Sequence, residues 1–158
     1  DEHLVPLPSV EEYDPRTETW QFLPPMQRAR ANCCAAATGD SVMVMGGFAG
    51  QYLADVEEYS ETARTWGPAA PLRYGRFAAA ACVCEGRVMV MGGIGVDGVT
   101  SKVERYHAEK DAWRPMADML TRRAYCSCAE LYGRVVVVGG CDQDYNKLNT
   151  VEEYSPAE

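Results

Sequence analysis

The stretch Val42-Met43-Val44-Met45-Gly46-Gly47 decides the fold. It returns letter for letter as Val88-Met89-Val90-Met91-Gly92-Gly93, and again, edited, as Val135-Val136-Val137-Val138-Gly139-Gly140. A short apolar run rich in β-branched residues predicts a buried strand. The paired glycines after it predict backbone angles that other residues avoid. Three copies at near-equal spacing predict a repeat architecture, so the repeating unit comes before any site.

Other residues keep the same step. The first glycines are 92 − 46 = 46 and 139 − 92 = 47 residues apart, and Trp20, Trp66 and Trp113 follow at 46 and 47. Tyr13, Tyr59, Tyr106 and Tyr154 close Val-Glu-x-Tyr clusters at steps of 46, 47 and 48. Each Trp lies 7 residues after its Tyr, and Arg30, Arg76 and Arg123 each lie 16 residues before their Gly-Gly. The order Arg…Gly-Gly…Glu-x-Tyr…Trp resembles the Kelch repeat, a four-stranded β-propeller blade of about 50 residues. The resemblance covers essentially the whole chain. It implies an all-β fold of Kelch-type β-propeller blades, each a four-stranded antiparallel sheet, in a partial propeller of about three and a third blades. Gly46, Gly47, Gly92, Gly93, Gly139, Gly140, Tyr59, Tyr106, Trp20, Trp66 and Trp113 are the expected structural framework.

The expected division is the end of one blade (strands c and d) over 1–26, full blades over 27–72 and 73–119, and an incomplete blade (strands a, b and c) over 120–158. Propellers close with about four to eight blades, so the chain is expected to be a piece of a longer one. Strands are expected over 10–13, 20–23, 32–37, 42–45, 56–60, 77–84, 88–91, 103–107, 124–131, 135–138 and 151–154, with others starting at Trp66 and Trp113. The Ala/Cys-rich first strand of each blade suits the crowded axis, and the tryptophans suit packing between neighbours.

Composition narrows the function classes. A net charge of −8 over 158 residues argues against nucleic acid, which wants a basic stripe. No apolar run is long enough to cross a bilayer as a helix, and no membrane role is expected. Seven cysteines (Cys33, Cys34, Cys82, Cys84, Cys126, Cys128 and Cys141) are expected as reduced thiols filling the core, in a cytoplasmic, reducing setting. Cys141, in a loop, is the one expected to be exposed. His3 and His107 are the only histidines, and no metal-ligand spacing, phosphate loop or nucleophile set accompanies them, so no cofactor, metal or enzymatic activity is expected. The paired glutamates Glu11/Glu12, Glu57/Glu58 and Glu152/Glu153 read as framework, because adjacent strand residues point to opposite faces and cannot flank one bond.

In an antiparallel meander, turns alternate between the two ends of the sheet. The b–c loops and the d–a connections therefore share one face. The b–c loops vary in length and content, which places binding chemistry there. The expected partner-binding residues are Arg28, Arg30, Asn32, Phe48, Gln51, Tyr52, Arg73, Tyr74, Arg76, Arg122, Arg123, Tyr125, Asp142, Asp144 and Tyr145. Arg and Tyr are frequent anchors, and arginines near aspartates suit an acidic peptide. Because they repeat, Arg30, Arg76 and Arg123 also fit a packing role. The resemblance implies a protein-interaction module that takes a protein or peptide on this face. It is most like the Kelch domain of BTB–Kelch proteins, where a BTB domain, absent from this chain, recruits a cullin-RING ubiquitin ligase. Actin binding is the alternative the family offers. A propeller enzyme is a second.

Overall fold

The computed structural model describes residues 5–155. The strands, in chain order, are β1 (Val10–Asp14), β2 (Thr19–Leu23), β3 (Cys34–Thr38), β4 (Ser41–Met45), β5 (Val56–Ser60), β6 (Thr65–Ala69), β7 (Ala80–Cys84) and β8 (Arg87–Met91). A small hairpin, β9 (Ile94–Gly95) and β10 (Gly98–Val99), precedes β11 (Val103–His107), β12 (Ala112–Pro115), β13 (Ser127–Leu131), β14 (Arg134–Val138) and β15 (Val151–Tyr154). Every pairing is antiparallel. The sheets are β1-β2, then β3-β4-β5-β6, then β7-β8-β11-β12, then β13-β14-β15. The last three are called the first, second and third blades below. The first two are complete four-stranded blades of a partial propeller.

Strands β3, β7 and β13 pack against one another in succession, so they are innermost. Side chains alternate across each strand. In the first blade, Cys34, Ala36, Met43 and Met45 face the second blade's Ala79, Ala81, Val83, Val88 and Val90. One layer on, Ala80, Cys82, Met89 and Met91 face Cys126, Cys128, Val135 and Val137. Small residues let the inner strands approach, while Met and Val fill the wider gap behind them. Each fully buried Val or Met contributes roughly 1.5–3 kcal/mol. The core is thus a stack of layers between sheets, as expected for repeats that bury their faces on their neighbours.

The glycine pairs mark where the backbone of the next repeat crosses. Gly92 has φ +66°, and a Cβ there would lie 2.3 Å from the Arg123 carbonyl oxygen. Gly46 meets the Arg76 carbonyl in the same way, at 2.4 Å. The second glycine donates instead: Gly47 N–H to Arg76 O and Gly93 N–H to Arg123 O, both at 2.9 Å. A side chain would separate the blades at this backbone contact.

Tyrosine and tryptophan form the outer fastening. Tyr59 and Trp66 are cross-strand partners, as are Tyr106 and Trp113, with ring centroids 5.3 and 5.2 Å apart. The indole N–H of Trp66 donates to Pro24 O at 2.8 Å, and that of Trp113 to Ala70 O at 2.9 Å. Each tryptophan is therefore bonded to the connection that ends the preceding repeat. Trp20 has no such partner among the described residues and is 65% exposed.

The inner strands start later than the sequence predicts. The expected starts at 32, 77 and 124 become Cys34, Ala80 and Ser127. The cause is a left-handed residue at the same register in each repeat: Asn32 (φ 49°), Ala78 (φ 54°) and Tyr125 (φ 54°). That kink releases the ladder and turns the backbone toward its neighbour. Ala78 N–H reaches Asn32 O and Tyr125 N–H reaches Ala78 O, both at 2.9 Å.

Candidate functional site: the loop face and its arginine clamps

Arg30, Arg76 and Arg123 are expected among the contact residues, and here the structure corrects the sequence: all three are buried. Arg76 Nη1 donates to Gly92 O (3.0 Å) and Lys102 O (2.9 Å), and its Nη2 donates to Glu104 Oε1 at 2.6 Å. Arg30 holds Gly46 O, Asp55 O and Glu57 in the same manner. Arg123 holds Gly139 O, Thr150 O and Glu152. Each guanidinium thus grips both ends of a b–c loop. Burial pulls the Arg76 pKa down, and the Glu104 charge opposes that pull.

The matching glutamates tie in the d–a connections. Glu57 accepts the N–H groups of Gln27 (2.6 Å) and Arg28 (3.1 Å), Glu104 that of Arg73 (2.8 Å), and Glu152 those of Leu120 (2.7 Å) and Thr121 (3.0 Å). Burial pushes the Glu152 pKa up, but the Arg123 charge and these amides prevail and hold it below the ordinary carboxylate value.

What the face presents falls into two groups. The first is an aromatic ridge near the axis. Tyr52 stacks on Phe77 (5.9 Å, 9°), Phe48 packs on both, and Tyr125 meets the edge of Phe77 at 6.4 Å. Tyr52 and Tyr125 are exposed, whereas Phe48 is half-buried, its ring packed against both Tyr52 and Phe77. Phe77 is absent from the expected contact set. Its signal is a departure from pattern, since alanine (Ala31, Ala124) holds that register in the other two repeats.

The second group lines an open hollow of about 480 Å³ over the second blade, between the connections that enter the second and third blades. Arg73, Tyr74, Lys102 and Arg122 stand around it with Asp97 and Val99. Lys102 is paired with Asp118 at 2.8 Å, and that bond raises its pKa. Arg73, Tyr74 and Arg122 are exposed. Among the described residues neither Arg73 nor Arg122 has a carboxylate partner. Lys102 and Asp118 also depart from the pattern, since Asp55 and Thr150 hold the register of the first and Pro25 and Pro71 that of the second, and Val99 lies in a variable b–c loop.

The other expected residues sit apart or are committed elsewhere. Arg28 is ion-paired with Asp55. Asn32 is half-buried and gives its carbonyl to the second blade. Asp142 organises its own loop, accepting the N–H groups of Asp144 and Asn146 at 2.9 Å, and the Asn146 side chain and these amides hold its pKa low. Gln51, Asp144 and Tyr145 are exposed on the loops.

Cys141 is not the exposed thiol: it is buried, and Cys33 is exposed. Cys141 continues the β14 ladder by pairing with Ala124, as Ile94 pairs with Phe77, so its side chain enters the layer between blades. Among the described residues no three His, Cys, Asp or Glu side chains are grouped to hold a metal. His107 lies at the end of β11, on the opposite face, and His3 lies outside the described residues. No helix among the described residues is long and apolar enough to cross a membrane.

These features define a β-propeller built from sequence repeats. The Kelch motif matches residues 1–27, 29–73, 75–120 and 122–158, and the chain belongs to the Kelch-repeat family. Among solved structures it is similar to the structure of YjhT, with a TM-score of 0.78 at 17% identity. That likeness covers 94% of this chain and 48% of the other, so this chain spans about half the length of that propeller. Kelch repeats of this kind form protein-interaction modules.

Proposed function

We propose that this chain recognises a protein partner through its loop face, and that the partner contributes an acidic segment seated over the second blade, between the connections that enter the second and third blades. One observation carries the reading: Arg73 and Arg122 flank a hollow of about 480 Å³, and among the described residues neither is paired with a carboxylate, although Asp97 and the Lys102-paired Asp118 also line it. An unpaired guanidinium on a concave surface is suited to bidentate binding of a carboxylate. Tyr74 beside them, and the ridge of Tyr52 and Tyr125, offer rigid contact area at modest entropic cost. In the full protein this module would be the substrate receptor of a cullin-RING ubiquitin ligase, coupled through a BTB domain. The support for that step is the resemblance of the repeats to BTB–Kelch proteins.

The test is affinity capture with the full-length protein, wild type against a variant carrying Arg73→Ala, Tyr74→Ala, Arg122→Ala and Tyr145→Ala. The variant is expected to lose the partner, while Arg64→Ala, in the c–d turn on the opposite face, keeps it. Retention of every partner by the fourfold variant overturns the site. Recovery of a cullin supports the adaptor role, and recovery of actin filaments without a cullin replaces it with a cytoskeletal scaffold.

A further inference from the structure

Cys82 in β7 and Cys128 in β13 meet in the layer between the second and third blades. The repeat explains the meeting, because Ala36 and Ala81 hold the equivalent positions one layer earlier. The two inner strands are tied on both sides of the pair. Tyr125 N–H donates to Ala78 O at 2.9 Å just before the strands begin, and the Cys84 thiol reaches Gly133 O at 3.5 Å where they end. Between these ties Cys82 and Cys128 pack into the same layer from facing strands, and each is only partly buried.

We propose that Cys82 and Cys128 form an oxidisable dithiol, which a hydroperoxide closes into a disulfide that staples the second blade to the third. The neighbouring Cys128 thiol lowers the Cys82 pKa against the opposing effect of burial, and the Cys82 neighbour and burial raise that of Cys128, so Cys82 is taken as the sulfur that reacts first. Burial raises the pKa of Cys33, so exposure does not make it the better nucleophile. In the first step the Cys82 thiolate attacks a peroxide oxygen. The S–O bond forms, the O–O bond breaks, and the leaving oxygen takes a proton as water or alcohol. In the second step the Cys128 sulfur attacks the Cys82 sulfur. The S–S bond forms, the S–O bond breaks, and the departing hydroxide takes the Cys128 proton as water. The two sulfurs together lose two electrons, which reduce the peroxide.

The experiment treats the folded full-length protein with hydrogen peroxide, blocks remaining thiols by alkylation and maps peptides by mass spectrometry. A peptide joining Cys82 to Cys128, lost on treatment with dithiothreitol, is the expected result. Cys128→Ala should leave a sulfenic acid on Cys82 that dimedone traps, and Cys82→Ala should leave Cys128 open to alkylation. Both replacements copy the alanines of the preceding layer, so the fold is expected to stand, and circular dichroism checks it. The proposal is overturned if no 82–128 cross-link forms, if Cys33 is oxidised first, or if folded Cys128→Ala protein shows no adduct on Cys82.

Discussion

Arg76 and Glu104 meet at 2.6 Å in the interior of the second blade, and the other oxygen of that carboxylate holds the Arg73 N–H at 2.8 Å. One buried pair therefore joins the end of β8, the start of β11 and the connection that enters the blade. Arg76→Ala leaves a buried carboxylate without its charge partner and two carbonyls without a donor. The expected loss is about 3–5 kcal/mol. Glu104→Gln keeps the shape but has one acceptor oxygen for two donors and leaves the Arg76 charge uncompensated, so a loss of the same order is expected. Urea unfolding of both variants measures the losses.

Gly92 and Gly139 hold the same place in successive repeats but face different surroundings. A Cβ on Gly92 would lie 2.3 Å from Arg123 O, whereas one on Gly139 finds only Leu148 O at 3.6 Å. Gly139→Ala should cost the left-handed backbone penalty alone, about 1–2 kcal/mol. Gly92→Ala should cost clearly more and part the second and third blades. The ordering of the two denaturation midpoints is the check.

Tyr132 stands at the first position of the β13–β14 turn with φ 52°, followed by Gly133 with φ 76°. Two positive φ angles define a type I′ turn, which favours Asn-Gly. The Tyr132 side chain is exposed, so its loss removes little packing. Tyr132→Asn is expected to stabilise by roughly 0.5–1 kcal/mol. A higher melting temperature would show it.

The Glu152 pKa is depressed in the folded chain. A depressed carboxyl stabilises the fold above its unfolded pKa of about 4.3, and that stability is lost as pH falls through the lower folded value. Glu152→Gln should therefore lower stability near neutrality and flatten the acid limb. Unfolding free energies measured from neutral pH down to about 3 would reveal the changed slope.

The charges at Arg73 and Arg122 are exposed, so partner binding through them should weaken as salt is raised, chiefly through slower association. Arg73→Ala and Arg122→Ala should each reduce that salt dependence. Surface plasmon resonance at two ionic strengths reads both effects.

The sheet order, the Gly-Gly stops and the Tyr-Trp pairs were legible because each recurs at a fixed step. The kinks at Ala78 and Tyr125 were not. Neither residue favours a left-handed angle, and only the carbonyl of the neighbouring repeat holds them there. Arg76 showed in the sequence as a repeating cation whose period favours packing while allowing contact, and burial beside Glu104 decided between them. Cys141 misled because Gly139-Gly140 reads as the end of a strand, while the ladder resumes one residue later. Phe77 and Lys102 broke the repeat in sequence, but only the fold shows what they meet, Phe77 by stacking with a loop of the previous blade and Lys102 by its place at the hollow.

The guanidinium clamps have an evolutionary consequence. From the first repeat to the third, the segment between Gly-Gly and the Val-Glu cluster grows by one residue at each step. Arg30, Arg76 and Arg123 fasten the termini of these segments through backbone carbonyls, which every amino acid carries. Mutation can thus rewrite the intervening letters, or lengthen them, while the anchorage persists. Diversity at the rim and constancy of the frame are separately heritable, and grafting foreign sequence into 49–52 or 143–146 would draw on the same independence.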